Sequence, residues 1–168
     1  MSGSSSRNPG LDPEAYRRLM SQFPTGVTVA TTMDLRGRPQ GMTASAVTSV
    51  SLEPPLVLVC VNHAADFHGA MSAATGFALN VLSSEQEHLS RRFAEERSDR
   101  FDGVAFHTGP GGLPLLAGVV AHVVCEKEGA HEAGDHTVFI GRVTGGDSFG
   151  GRPLVHFQGG YSTTAEAT

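Results

Sequence analysis

The sequence predicts a mainly β chain with a few helices between its strands, folded as a closed or nearly closed antiparallel barrel. Three observations carry that expectation. The 168 residues include 21 Gly and 9 Pro, few aromatics and no Trp, a composition of turns and short strands rather than of a helical bundle. The apolar runs are short and spaced as hairpins are, and closing such strands on one another removes their exposed edges. Strands and helices do not alternate regularly, and no Gly-x-Gly-x-x-Gly joins a strand to a helix, so a doubly wound parallel sheet fits badly.

Each element has a local cause. Residues 1–10 carry no apolar core segment and read as a flexible N-terminal segment. Asp12-Pro13-Glu14 supplies an N-cap, a proline at the first helical position and an early acid, so a helix runs to about Gln22, where Phe23-Pro24 ends it. Residues 26–32 read as a strand, Asp34 to Gly37 as a hairpin turn, and residues 40–50 as the returning strand. Pro54 and Pro55 give a fixed entry into a third strand over 56–61. A short helix over 66–74 and a strand over 77–81 follow. Ser84-Glu-Gln-Glu87 reads as a capping box opening a helix that ends near Arg97, with Leu89 and Phe93 on its apolar stripe. Strands over 119–126, 137–144 and 154–157 complete the chain, and Gly109 to Gly112 is a loop. The spacing predicts one domain over 11–162 and a flexible tail over 163–168.

Bulk properties exclude several function classes. A formal charge of −5, with no Lys/Arg stripe interleaved with aromatics, argues against a nucleic-acid partner. No run approaches a membrane span and the N-terminus lacks a secretory signal, so a cytoplasmic location is expected. Cys60 and Cys125 sit in apolar strand-like runs with no Cys-x-x-Cys partner and read as buried free thiols.

Two segments carry candidate chemistry. Thr43, Ser45, Thr48, Ser49 and Ser51 crowd short hydroxyls ahead of an apolar strand; they can hold a phosphate together with backbone N–H groups, or simply face solvent on an ordinary strand. Gly134-Asp135-His136 puts a carboxylate and an imidazole at the head of an apolar strand, where they either border a ligand pocket or form a structural turn. His131, Glu132 and His136 do not make a zinc site, because the two His lie five apart with Gly134 between them. No Gly-x-Ser-x-Gly elbow is present, and the apolar neighbours of Cys60 do not suit a nucleophile.

Taken together, Phe23-Pro-Thr-Gly-Val-Thr-Val29, Gly41-Met-Thr-Ala-Ser45, Ser49-Val-Ser-Leu-Glu-Pro-Pro-Leu56, Phe77-Ala-Leu-Asn-Val-Leu82, Gly134-Asp-His-Thr137 and Pro153-Leu-Val resemble the flavin reductase-like family over residues 13–161. The resemblance implies an antiparallel, Greek-key-like, FMN-binding split β-barrel, usually a homodimer. It implies reduction of FMN or FAD by NADH or NADPH, with reduced flavin passed to a separate flavin-dependent monooxygenase. A non-catalytic flavin-binding or redox-sensing protein on the same barrel is the alternative. By resemblance, Thr43, Ala44 and Ser45 lie along the flavin ring and ribityl chain. Ser49, Val50 and Ser51 lie near the ribityl and phosphate groups, and Cys60, Val61, Asn62 and His63 border the same site. Phe93 and Arg97 approach the phosphate side, or else serve as core packing and a solvated charge. Gly134, Asp135 and His136 border the nicotinamide, with His136 as the contact to the hydride donor. One departure stands out: many relatives read Thr-Ala-Asn-Ser where this chain has Thr43-Ala44-Ser45-Ala46, which removes an amide able to donate and accept at once.

Overall fold

The computed structural model describes residues 10–165, so the readings made for residues 1–9 and 166–168 lie outside it. Helix α1 (Pro13–Met20) begins as expected, with the Asp12 carboxylate accepting from the Ala15 N–H at 3.1 Å. It ends two residues early, because the Ser21 hydroxyl donates to the Arg18 carbonyl at 2.8 Å and takes up a terminal acceptor. Strand β1 (Thr25–Gly26) is a short bridge, and β2 (Thr28–Met33) leads into the expected hairpin turn. There the Asp34 carboxylate accepts from the backbone N–H groups of Arg36 and Arg38, both at 2.9 Å.

The single returning strand expected over 40–50 is two strands. β3 (Pro39–Ala44) stops at Ser45-Ala46, and β4 (Val47–Leu52) pairs instead with β5 (Pro55–Asn62). After α2 (Asp66–Ala73) and β6 (Gly76–Val81), the box expected at Ser84 and Glu87 is replaced by one a residue earlier. The Gln86 side chain accepts from the Ser83 N–H at 3.0 Å and donates to the Ala117 carbonyl at 2.7 Å. Helix α3 (Glu87–Ala94) therefore starts at Glu87 and closes before Arg97. Two three-residue strands missed in the sequence, β7 (Phe106–Thr108) and β8 (Pro114–Leu116), flank the Gly109 to Gly112 turn. β9 (Ala121–Ala133) and β10 (His136–Ser148) are far longer than expected, since their distal residues are solvated on both faces and lack an alternating apolar signal. β11 (Leu154–Phe157) lies as expected, and an unexpected β12 (Gly160–Thr163) pairs with it, one residue into the expected tail.

The main sheet has seven antiparallel strands in the order β3-β2-β6-β9-β10-β5-β4. Laid flat, six gaps of roughly 4.8 Å would hold β3 and β4 nearly 30 Å apart. Ser45 and Ala46 alone join them, and three Cα steps reach only about 11 Å. The sheet must therefore roll until its edges meet at this corner, which gives a barrel left open between β3 and β4. Its interior is filled by Ala30, Val59, Val61, Phe77, Leu79, Cys125 and Phe139, with Phe67 and Met71 of α2 closing it. A second cluster, including Val27, Val29, Leu82, Phe93 and Leu154, packs α3 and the β11 layer against the outside. Asn80, fully buried on β6, donates to the Val29 carbonyl and accepts from the Leu116 N–H, which sews β8 to the barrel wall.

Candidate active site

A cleft of about 820 Å³ opens where the rolled sheet brings distant segments together. Its walls are Ala46 at the β3–β4 corner, Cys60 and Asn62 at the end of β5, Ala133, Asp135, His136 and Val138 of the β9–β10 hairpin, and Leu11, Pro13, Tyr16 and Arg17 around α1. Strand register explains the meeting of the second and third groups, because β10 pairs with β5 so that His136 stands opposite Asn62 and Val138 opposite Cys60. Gly134 adopts φ +67°, the conformation that the first central residue of a two-residue type II′ hairpin turn needs.

Hydrogen bonds fix that turn. The His63 backbone N–H donates to the Asp135 carbonyl at 2.9 Å, and the Ala64 N–H to the Asn62 side-chain oxygen at 2.8 Å. His136 Nδ1 lies 2.7 Å from Asp135 Oδ1. The carboxylate can only accept, so Nδ1 carries the proton and Nε2 is left for a ligand. This hydrogen bond, ahead of a backbone one, holds the Asp135 carboxyl below its ordinary value. Burial alone raises the half-buried Cys60 thiol, so it enters the cleft as a neutral, poorly nucleophilic group.

The residues selected from the sequence divide into three groups. Cys60, Asn62, Asp135 and His136 line the cleft, with Gly134 shaping its turn and Ser45 adjoining Ala46. Ser49, Val50 and Ser51 lie on the open edge strand β4, with a bulge between Ser49 and Ser51. The hydroxyls of Ser45, Ser49 and Ser51 engage no other described residue. The remaining side chains are committed elsewhere. Val61 and Ala44 point into the core, His63 turns its ring to Thr137 and Glu132 outside the cleft lining, and Thr43 donates its hydroxyl to the Ser90 carbonyl at 2.7 Å. Thr43 and Phe93 border a separate cavity of about 180 Å³, in which Phe93 is wholly buried. Its core-packing reading is the one the structure adopts. Arg97, past the end of α3, is clamped by Asp99 at 2.5 Å and approached by Glu95 at 3.4 Å, so its guanidinium is already neutralised.

Sequence reading missed α1 as a wall. Arg17 is the one Lys or Arg lining the cleft, and it makes no ion pair among the described residues. The available signal was the helix's apolar side, none of whose residues is buried among the described residues.

Residues 20–165 match the model of the flavin reductase like domain. The chain belongs to the flavin reductase-like family. Among its relatives is the reductase subunit of stachydrine N-demethylase from Rhizobium meliloti, 46% identical over 90% of this chain and 66% of that protein. A probable flavin reductase from the same organism is 43% identical over 91% of this chain and 49% of its own length. The chain thus spans half to two thirds of these two relatives. An NADH-dependent FAD reductase from Streptomyces globisporus is 44% identical over 89% of this chain and 86% of that protein. A solved structure of an NADH:FAD oxidoreductase from Streptomyces globisporus, with NAD and FAD fragments, superimposes with a TM-score of 0.86 at 40% identity, covering 93% of this chain and 96% of that one. The flavin reductase-like barrel is thus shared over nearly the whole chain.

Proposed function

We propose that the chain catalyses NAD(P)H-dependent reduction of FMN or FAD and releases the reduced flavin to a separate flavin-dependent monooxygenase. The observation that carries this reading is the single cleft joining the β3–β4 corner, the end of β5 and the Gly134 to His136 turn. Its volume falls in the range of small-molecule sites, about 300–1,000 Å³. The donor set suits both cofactors. Unengaged hydroxyls and the free backbone groups of edge strand β4 suit a ribityl phosphate, Arg17 supplies a cation for a phosphate, and Ala46 and Cys60 leave room beside a flat ring.

The flavin and the nicotinamide supply the hydride chemistry themselves, and the protein contributes binding and orientation. With Nδ1 tied to Asp135, a neutral His136 presents Nε2 as an acceptor for an amide N–H such as that of a nicotinamide carboxamide. When protonated, the same atom donates. Holding the hydride donor in register supports rate through orientation alone, and no protein nucleophile is needed.

A homodimer accords with the apolar side of α1, uncovered by the described residues, where Tyr16, Leu19 and Met20 are exposed beside Leu11 just ahead of the helix, and with Leu52 on edge strand β4, 91% exposed. A monooxygenase partner is supported by relatives named as reductase subunits of flavin-dependent monooxygenases in Rhodococcus jostii and Mycobacterium tuberculosis. No helix among the described residues is long and apolar enough to cross a membrane, and we place the protein in the cytoplasm. Steady-state kinetics with each pairing of NADH or NADPH with FMN or FAD test the proposal. Flavin-dependent oxidation of the nicotinamide is expected, with His136→Ala raising its KM. Protein that keeps stoichiometric flavin through dialysis and oxidises neither nicotinamide would overturn the reading in favour of a non-catalytic flavin binder.

A further inference from the structure

We propose that His68 and Thr137 form a clamp that positions His136 for the hydride donor, an inference that rests on the reading of His136 given above. Thr137 follows His136 on β10, so the two side chains point to opposite faces of the strand. His136 faces the cleft, while Thr137 is 2% exposed and faces α2. Its hydroxyl is a three-way junction. It lies 2.8 Å from His68 Nε2, 3.2 Å from His63 Nε2 and 3.1 Å from Glu132 Oε1.

Counting protons orders this junction. Glu132 only accepts, so the one hydroxyl proton goes to its Oε1, and the hydroxyl lone pairs accept from the two imidazoles. Both histidines therefore carry hydrogen on Nε2. The His63 proton is shared with Glu132 Oε2, 2.8 Å away. His68 can act as an anchor because α2 is rooted in the barrel through Phe67 and Met71, and because its ring packs on Phe139 at 5.8 Å and edge-on to His63 at 5.2 Å. The residue after His136 is thus tied to the core on one face, while the His63 N–H holds the Asp135 carbonyl at the other end of the turn. His136 stands between two fixed points. A group held in place before binding spares the ligand the cost of ordering it, about 0.5–1.5 kcal/mol for one side chain, so this clamp bears on hydride-donor affinity without touching either cofactor.

The test compares Thr137→Val, which keeps shape and strand preference but removes the hydroxyl, with Thr137→Ser, which keeps it. In ligand-free protein, amide relaxation dispersion should show new millisecond exchange at Asp135 and His136 in the Val variant, none in β2, and none in the Ser variant. The KM for NADH should rise by up to about tenfold in the Val variant, with the flavin KM and kcat within about twofold. Unchanged exchange in the Val variant, or identical behaviour of Val and Ser, would overturn the clamp. If the Val variant fails to fold, His68→Phe against His68→Gln carries the same test, since Gln retains an N–H donor; equal behaviour of those two also overturns it. His136→Ala run in parallel separates the two claims. An unaltered NADH KM there removes the role of His136, while the exchange data still decide whether the turn is clamped.

Discussion

The two cysteines show how environment divides identical side chains. Cys125 is buried in the barrel, and desolvation pushes its thiol up to about 12; Cys60 is raised by the same cause but borders the cleft. Alkylation at pH 8 followed by mass spectrometry should therefore label Cys60 slowly, label it more slowly still with flavin present, and reach Cys125 only after unfolding. Asp135 supplies the corresponding pH test. Its carboxyl is lowered on folding, so its contribution is complete above the unfolded value of 3.8 and is lost as pH falls through the lowered value. Hydrogen exchange across the β9–β10 turn should accelerate on acidification below that value, and Asp135→Asn should remove that part of the acid dependence.

Among the elements, the long hairpin β9–β10 carries most of the site's geometry, and small residues let it pass across the barrel. Gly141 sits at a bulge in its pairing with β9, where an added Cβ would lie 2.5 Å from Phe77 Cζ and 2.8 Å from Cys125 Cβ. Both neighbours belong to the packed interior. Gly141→Ala should thus cost about 1–3 kcal/mol by overpacking, read as a lowered denaturation midpoint. Gly145→Ala, which meets nothing within 4 Å, is the control and should stay within about 0.5 kcal/mol. The corner at Ser45-Ala46 acts differently, since it closes the barrel by being short rather than by packing.

For the whole molecule, the apolar side of α1 and the exposed Leu52 leave surface that a monomer gains nothing by displaying. Sedimentation should report a dimer, and the double substitution Leu19→Glu with Leu52→Glu should shift it toward monomer at micromolar concentration. Because α1 also walls the cleft, the same variant is expected to raise the KM for at least one cofactor. An unshifted dimer would place the interface elsewhere.

The antiparallel β class, the Asp34 turn, the Asp12 cap and the Gly134 to His136 turn were legible in the sequence, because each rests on local chemistry: alternation, a capping carboxylate, a glycine able to take φ +67°. The hydroxyl-rich run from Thr43 to Ser51 was legible only as a candidate. Thr43 turned out to be tied to α3 and Ala44 to the core, because side-chain direction at a barrel corner depends on where the strand breaks. Arg17, His68, Glu132 and Thr137 were not legible as partners of His136, since local pattern does not record which helix a rolled sheet brings against which turn. The sequence by itself determined the antiparallel class, the places of the three helices, the family and the candidate turn. The tertiary structure alone decided which of the chosen residues share one cleft, because rolling the sheet brings together segments that are far apart along the chain.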